Sequence, residues 1–243
     1  SLPLSQASVS RVAVVGPLAN ATTELLGNYF GWPSHVESIL DGVRAEIGVQ
    51  GVSFAPGCDL LSPPGSAAIH GKIAAAVRAA AGVDAIVLVV GLNCTIENER
   101  HDRSSLLLPG AQHELLSALS AAAGQASIPL VVVVVAGGAI DLSMPRDDAN
   151  VSAILLAGYG GQAAGTAVAD ALFGKFSPAG RLTQTFYSNA YLSEIGMPDM
   201  RMRPTTGTGT GGGGGAPASP GRGYRFYQGP HIVYGFGHGL SYA

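Results

Sequence analysis

Apolar residues along this chain gather in four short unbroken runs instead of alternating with polar ones. The runs are RVAVVG (11–16), VDAIVLVVG (83–91), PLVVVVVAGG (129–138) and VSAILLAGYG (151–160). A strand wet on one face alternates apolar and polar positions, whereas a strand covered on both faces reads as continuous Val, Ile and Leu. The pattern therefore predicts four strands buried on both faces, each ending in glycine. Between them lie segments of helical character. SAAIHGKIAAAVRAAAG (66–82) is Ala-rich and begins at Ser66, whose side chain can cap a helix start. AQHELLSALSAAAG (111–124) and GGQAAGTAVADALFG (160–174) stop at Gly124 and Gly174, the residue type that most readily takes the left-handed conformation closing a helix.

Strand and helix in alternation predict an α/β fold, a three-layer α/β/α sandwich with a mainly parallel sheet, because right-handed crossovers place helices on both faces. Ligands of such sheets bind at the carboxyl ends of the strands. Beyond residue 200 the pattern disappears. RMRPTTGTGTGGGGGAPASPGRG has no apolar face to bury, so 201–222 reads as a Gly/Pro/Thr-rich mobile loop. Aromatics return in YRFYQGPHIVYGFGHGLSYA, which predicts a short strand and turns. The expected plan is a sandwich over 1–200, the loop over 201–222, and a C-terminal segment, 223–243, packing back on the sandwich.

Composition narrows the possibilities. With 243 residues, 47% hydrophobic and 12% charged, the chain can bury a sizeable core as one large or two small domains. Its longest apolar stretch, IPLVVVVVAGGAI, falls short of the roughly 18–20 residues that cross a bilayer. No membrane partner is expected. The net charge is −3 and the 13 Lys and Arg are scattered, so the basic stripe that nucleic-acid binding needs is missing and no nucleic-acid partner is expected. Cys58 and Cys94 are isolated and fit no zinc motif; a bridge between them is left open. Sequons at Asn20, Asn93 and Asn150 permit glycosylation of a secreted protein. The start, SLPLSQASVSRVAVVG, reads as a domain boundary and not as a signal peptide.

Candidate chemistry concentrates in GLNCTIENERHDRSSLLLPG (91–110), directly after the second strand and so at the ligand edge. Glu97, Glu99 and His101 alternate and could project to one side of an extended loop as metal ligands, although no fourth ligand is nearby. A solvated turn with weak surface ion pairs is the second reading. A general acid or base, its pKa raised by partial burial at a strand end, is the third. No GxSxG elbow follows any strand, no Cys/His pair has a recognisable context, no GxxxxGK[ST] occurs, and the glycines after the first strand, in GPLANATTELLGNYFG, lack the GxGxxG spacing of a nucleotide site; no cofactor is expected. Asp141 is placed either to meet a ligand or to cap a turn. His238 reads as a buried, hydrogen-bonded histidine in preference to a catalytic one.

Several stretches taken in order, among them VAVVGPLAN, LLGNYFGWPS, the 91–116 segment, ILLAGYGGQAAGTAVADALFGKFSPAGRLTQTFY and GRGYRFYQGPHIVYGFGHGLSY, resemble one family. It is the C-terminal α/β sandwich domain of glycoside hydrolase family 3, in its plant and fungal β-xylosidase-like branch. FGKFSPAGRL, MRMRP and YGFGHGLSY are the specific signatures, and the likeness spans nearly the whole chain. The resemblance implies a retaining exo-glycosidase, β-xylosidase-like or α-L-arabinofuranosidase, acting on oligosaccharide and located outside the cell or in the cell wall. It implies an aspartate nucleophile on an N-terminal (β/α)8 barrel and an acid/base glutamate on this domain, two carboxyl groups about 5–5.5 Å apart. By the TIENE motif (95–99) it implies Glu97 as the acid/base, Glu99 as the reserve candidate, and Asp102 and Arg103 bracing the loop. No barrel lies within these residues, so the partner is a barrel in the same precursor or in a separate chain, and the chain alone is expected to be incomplete. The alternative is a non-catalytic scaffold or carbohydrate-binding module.

Overall fold

Five parallel strands form a single sheet in the computed structural model, which describes residues 2–207 and 218–242. They are β1 (Val12–Val15), β2 (Val52–Ala55), β3 (Ala85–Gly91), β4 (Leu130–Val135) and β5 (Val151–Leu156), in the spatial order β2-β1-β3-β4-β5. The chain winds one way from β1 to β2 and the other way from β3 to β5, as in a doubly wound sheet. Helices α1 (Ile39–Ile47), α2 (Ala67–Ala79), α3 (Gln112–Ala126), α4 (Ser143–Asp147) and α5 (Ala164–Leu172) connect the strands.

Each strand sends alternate side chains to opposite faces, and both faces are covered. Val15, Leu88, Val90, Val132 and Val134 pack with Ile69 and Ile73 of α2 and Leu115, Leu116 and Leu119 of α3. Val14, Val87, Val89, Val131 and Val133 pack with Ile39, Leu40 and Val43 of α1 and Val168 and Leu172 of α5. Every residue of β3 and β4 is buried, as their unbroken runs require. β5 departs from the expectation of full burial. It lies at the sheet edge with one neighbouring strand, and Leu156 is 37% exposed.

Three elements of the sandwich, β2, α1 and the five-residue α4, lie outside those the apolar pattern predicts. β2 is a four-residue edge strand, VSFA, too short and too polar for a run. α1 has a legible signal in SILDGVRAEI: Ser38 Oγ accepts from the Asp41 amide at 3.1 Å and donates to its carboxylate at 2.7 Å, a Ser-x-x-acid start of capping-box type. α1 and α5 then touch through glycines. A β-carbon on Gly42 would lie 2.1 Å from the Gly165 carbonyl oxygen, and one on Gly165 the same distance from that of Ser38.

Helix ends shift from their expected places for physical reasons. Ser66 does cap α2, accepting from the Ile69 amide at 3.3 Å. α3 runs past Gly124 to Ala126 and stops at Ser127, in the left-handed region. Gly124 instead makes room for Asn150, whose side-chain oxygen would sit 2.6 Å from a β-carbon there. Residues 161–163 form a separate 3-10 turn, so α5 begins only at Ala164.

β6 (Phe186–Tyr187) and β7 (Ile232–Tyr234) form a small antiparallel pair beside the sandwich, with the single-turn α6 (Gly223–Phe226). The C-terminal segment is tied down by the Leu182 amide to the His238 carbonyl, 2.9 Å, and by the Tyr242 hydroxyl to the Ala171 carbonyl, 2.6 Å. Tyr187, Tyr191 and Tyr227 make the core of this layer. His238 corrects its expected burial: it is exposed and its ring stacks on Tyr234, centroids 4.7 Å apart. Within the Gly/Pro/Thr-rich segment, residues 208–217 lie outside the described residues. Its flanks are joined by Thr205 and Ser219, which exchange backbone hydrogen bonds of 2.9 and 3.0 Å.

Candidate active site

The loop that leaves β3 is fastened at its root. Gln112, fully buried at the start of α3, accepts from the Gly91 amide at 2.8 Å and donates to its carbonyl at 3.0 Å. Gly91 has φ 144°, and a β-carbon there would fall 1.9 Å from the Val135 carbonyl oxygen, so glycine is needed where β3 passes β4. Asn93 starts a turn by accepting from the Thr95 amide and hydroxyl, and the Glu97 amide returns to its carbonyl.

Glu97 then reaches over the carboxyl ends of β4 and β5. Its Oε1 accepts from the amides of Gly137 (2.7 Å) and Gly138 (3.2 Å) and from the Tyr159 hydroxyl (2.8 Å). Its Oε2 faces Arg103 Nε at 3.3 Å, both side chains being largely buried. Arg103 Nη2 also donates to the Ala139 carbonyl at 2.8 Å and Nη1 to that of Ser105 at 3.4 Å. One carboxylate thus ties together the segments after β3, β4 and β5. Burial first, then the hydrogen bond to Glu97, pushes the Tyr159 phenol far above its ordinary range.

Glu99 has a different setting two residues on. Asn98 and His101 pair their backbones, the His101 amide donating at 3.0 Å, and close a tight turn over Glu99 and Arg100, the latter at φ 69°. Glu99 is exposed at the tip, with no hydrogen bond or ion pair to any of the described residues. Asp102 is likewise exposed and unpaired among them, so of the two expected braces Arg103 makes the contacts and Asp102 does not. Asp141, 7% exposed, accepts from the Ser143 amide and hydroxyl and from the Asn189 amide (2.7 Å). It pins the start of α4 to the 3-10 turn at Asn189–Ser193.

Among the described residues no three His, Cys, Asp or Glu side chains are grouped to hold a metal ion. Cys58 and Cys94 are free thiols.

An aromatic loop on the same edge escaped the sequence reading. Between β1 and α1, NYFGW carries Tyr29 and Trp32, 79% and 80% exposed, with Trp32 edge-on to Phe30 at 4.9 Å. Gly27 abuts Tyr159, since a β-carbon there would lie 3.2 Å from its ring and stem, so this loop borders the Glu97 cluster. The legible signal was three aromatics in six residues of a loop at the ligand edge. Beside it, Gly137, Leu156, Tyr159, Arg181 and Gln184 line an open cavity of about 410 Å3.

The fold and the loop cluster define an α/β sandwich domain that presents carboxyl and aromatic groups at one sheet edge while its core stays apolar. The model of the glycosyl hydrolase family 3 C-terminal domain matches residues 1–242, and the chain belongs to that family. It is 39% identical to beta-xylosidase/alpha-L-arabinofuranosidase 1 of Medicago sativa subsp. varia, covering 100% of this chain and 29% of that protein. It is 40% identical to exo-1,4-beta-xylosidase xlnD of Aspergillus niger, over 99% of this chain and 28% of the relative. Among solved structures, the GH3 exo-beta-xylosidase XlnD in complex with a xylobiose aziridine probe superposes with a TM-score of 0.86 at 40% identity, covering 99% of this chain and 28% of that one. A GH3 beta-glucosidase of Bifidobacterium adolescentis gives 0.74 at 32% identity, with 99% and 33% covered. The chain therefore spans less than a third of the length of the curated relatives it matches.

Proposed function

We propose that this chain is the sandwich part of a retaining β-xylosidase-type exo-glycosidase, and that Glu99, not Glu97, is its acid/base. The carrying observation is the contrast between the two carboxyls. Glu97 accepts three hydrogen bonds on one oxygen and an arginine on the other, which suits an anchor that must not move. Glu99 stands free at the tip of the turn that anchor holds. An acid that protonates a departing oxygen and later takes a proton from water needs an unoccupied oxygen facing the substrate.

In this reading a carboxylate from a (β/α)8 barrel outside these residues attacks the anomeric carbon. Glu99 gives its proton to the leaving sugar oxygen, and the resulting carboxylate then activates water against the glycosyl-enzyme. Trp32 and Tyr29 offer apolar faces for a sugar ring of the oligosaccharide. The names of the relatives support xylosyl ends as the substrate, and α-L-arabinofuranosyl ends belong to the same reading. So does a location outside the cell or in its wall, consistent with exposed Asn20 and Asn150 in their sequons.

The test uses the full-length protein and aryl β-xylosides. Glu99→Gln should lower turnover of a poor leaving group by about 10^2–10^4-fold, spare a dinitrophenyl substrate, and yield β-xylosyl azide when azide is added. Glu97→Gln should depress both substrates alike and lower stability. Leaving-group dependence and azide rescue in Glu97→Gln, with Glu99→Gln active, would return the role to Glu97. A Glu99→Gln enzyme indifferent to leaving group, with Glu97→Gln equally so, would leave the domain a non-catalytic scaffold.

A further inference from the structure

A second cavity, of about 220 Å3, is walled by Arg103 and lies between the sandwich and the small β6–β7 layer. Leu106, Tyr187 and Tyr191 form apolar wall, and Thr185, Gln184 and Arg222 supply polar groups. Two buried atoms of this set have no hydrogen-bond partner. Thr185 is 6% exposed and its hydroxyl has no hydrogen-bond partner; the buried Nε of Arg222 has none either. A buried donor without a partner costs about 1–3 kcal/mol, so a ligand that paired with either atom would recover part of that cost.

The Arg222 guanidinium is held in place from behind. Nη2 donates to the Gly196 and Met197 carbonyls, and its plane lies over the Tyr191 ring, 5.9 Å from the centroid. It makes no ion pair among the described residues, although its charge helps Arg201 to lower the Asp199 carboxyl, whereas the charge of Arg103 is committed to Glu97. The surrounding sequence leans the same way. Residues 181–243 carry Arg181, Arg201, Arg203, Arg222 and Arg225 against Glu194 and Asp199, in a chain that is net −3. Donors converging on apolar and aromatic walls suit a carboxylate borne on a ring, because guanidinium and hydroxyl donors pair with its two oxygens while the walls cover the carbon skeleton.

We propose that this cavity is a subsite for a sugar carboxylate, a uronic-acid unit of the oligosaccharide, held by Arg222 and Thr185. The inference rests on the glycosidase reading for its choice of ligand, and deepens it: the enzyme would accept acidic as well as neutral chains. Arg103, which walls the cavity and also holds Glu97, places the subsite one side chain away from the loop that carries Glu99.

The experiment titrates the full-length protein with methyl β-D-glucuronoside and with methyl β-D-glucoside, following binding by calorimetry. The glucuronoside should bind at least tenfold more tightly, and added salt should erode the difference. Arg222→Gln should abolish the preference and Thr185→Val should reduce it several-fold, in variants whose melting temperatures show that they are folded. Equal affinities, or a preference that survives Arg222→Gln, overturn the proposal. So does a crystal structure of the soaked protein in which the cavity holds water alone, or one in which an acidic side chain from elsewhere in the protein already occupies it. Turnover of an aryl β-xyloside by the same preparation separates the two readings. Turnover without the preference removes the subsite, and the preference without turnover removes the glycosidase.

Discussion

The hydroxyl of Tyr159 donates to Oε1 of Glu97 at 2.8 Å, joining the end of β5 to the loop after β3 across the intervening strand β4. Tyr159→Phe keeps the ring against Gly27 and removes this one bond. Glu97 retains the Gly137 and Gly138 amides and Arg103, so the loss should be modest, about 1–2 kcal/mol of unfolding free energy. Chemical denaturation of the two proteins measures it. In the full-length protein the same variant should lower kcat more than it changes KM, since a looser anchor mispositions Glu99 without touching the sugar.

Gly42→Ala tests the contact between α1 and α5. The added methyl would meet the Gly165 carbonyl oxygen at 2.1 Å, and neither helix backbone can yield without parting from the sheet. A destabilisation of about 3 kcal/mol is expected, at the upper end for overpacking. Alanine at Gly71, on α2 with open space around its would-be β-carbon, should leave stability unchanged or slightly raised. Urea midpoints of the two variants make the comparison.

Cys58 gives a pH dependence with a definite sign. Burial, and next the negative charge of Asp59, push its thiol from 9.0 up to about 11. Because the folded pKa lies above the unfolded one, the folded protein keeps a proton that the unfolded chain releases. The associated stability is complete below about pH 9 and falls as pH rises toward 11, by about 2–3 kcal/mol in all. Cys58→Ala should remove that share of the slope, leaving the part due to raised groups such as Tyr159 and Tyr191, while lowering stability at neutral pH. Thermal melts of both proteins from pH 8 to 11 reveal the difference.

Trp32 is 80% exposed, so its replacement by alanine should leave the melting temperature in place. If it forms a platform for the sugar, Trp32→Ala in the full-length protein should raise KM for xylo-oligosaccharides about five- to tenfold, the loss of one aromatic stacking contact of roughly 1–1.5 kcal/mol. An unchanged KM would remove Trp32 from the substrate path.

The sandwich was legible because its central strands obey a strong rule. β3 and β4 are buried on both faces, and burial on both faces leaves no place for polar residues. β2 gave no such signal, since an edge strand of four residues is half-covered and can carry Ser53. Gly124 misled because glycine serves both to end a helix and to admit a neighbour, and only the position of Asn150 decides which. In the site, the cluster at 97–103 was visible as charge, but spacing could not divide its roles. Glu97 and Glu99 are two residues apart in an acidic motif, and what separates them is a pair of glycine amides 40 residues later and a tyrosine 62 residues later.

β1 is the earliest of the five strands in the chain but lies between β2 and β3, so both of its edges stay unpaired until residues 52–55 and 85–88 have left the ribosome. Until then β1 is a fully apolar strand with open hydrogen-bonding groups on each side, the kind of segment that chaperones retain and that aggregates when they are overwhelmed. With every pairing of the five-stranded sheet parallel and remote in sequence, folding should be slow by comparison with helical domains of equal size. The exposure of β1 therefore ends only with the arrival of the second and third strands.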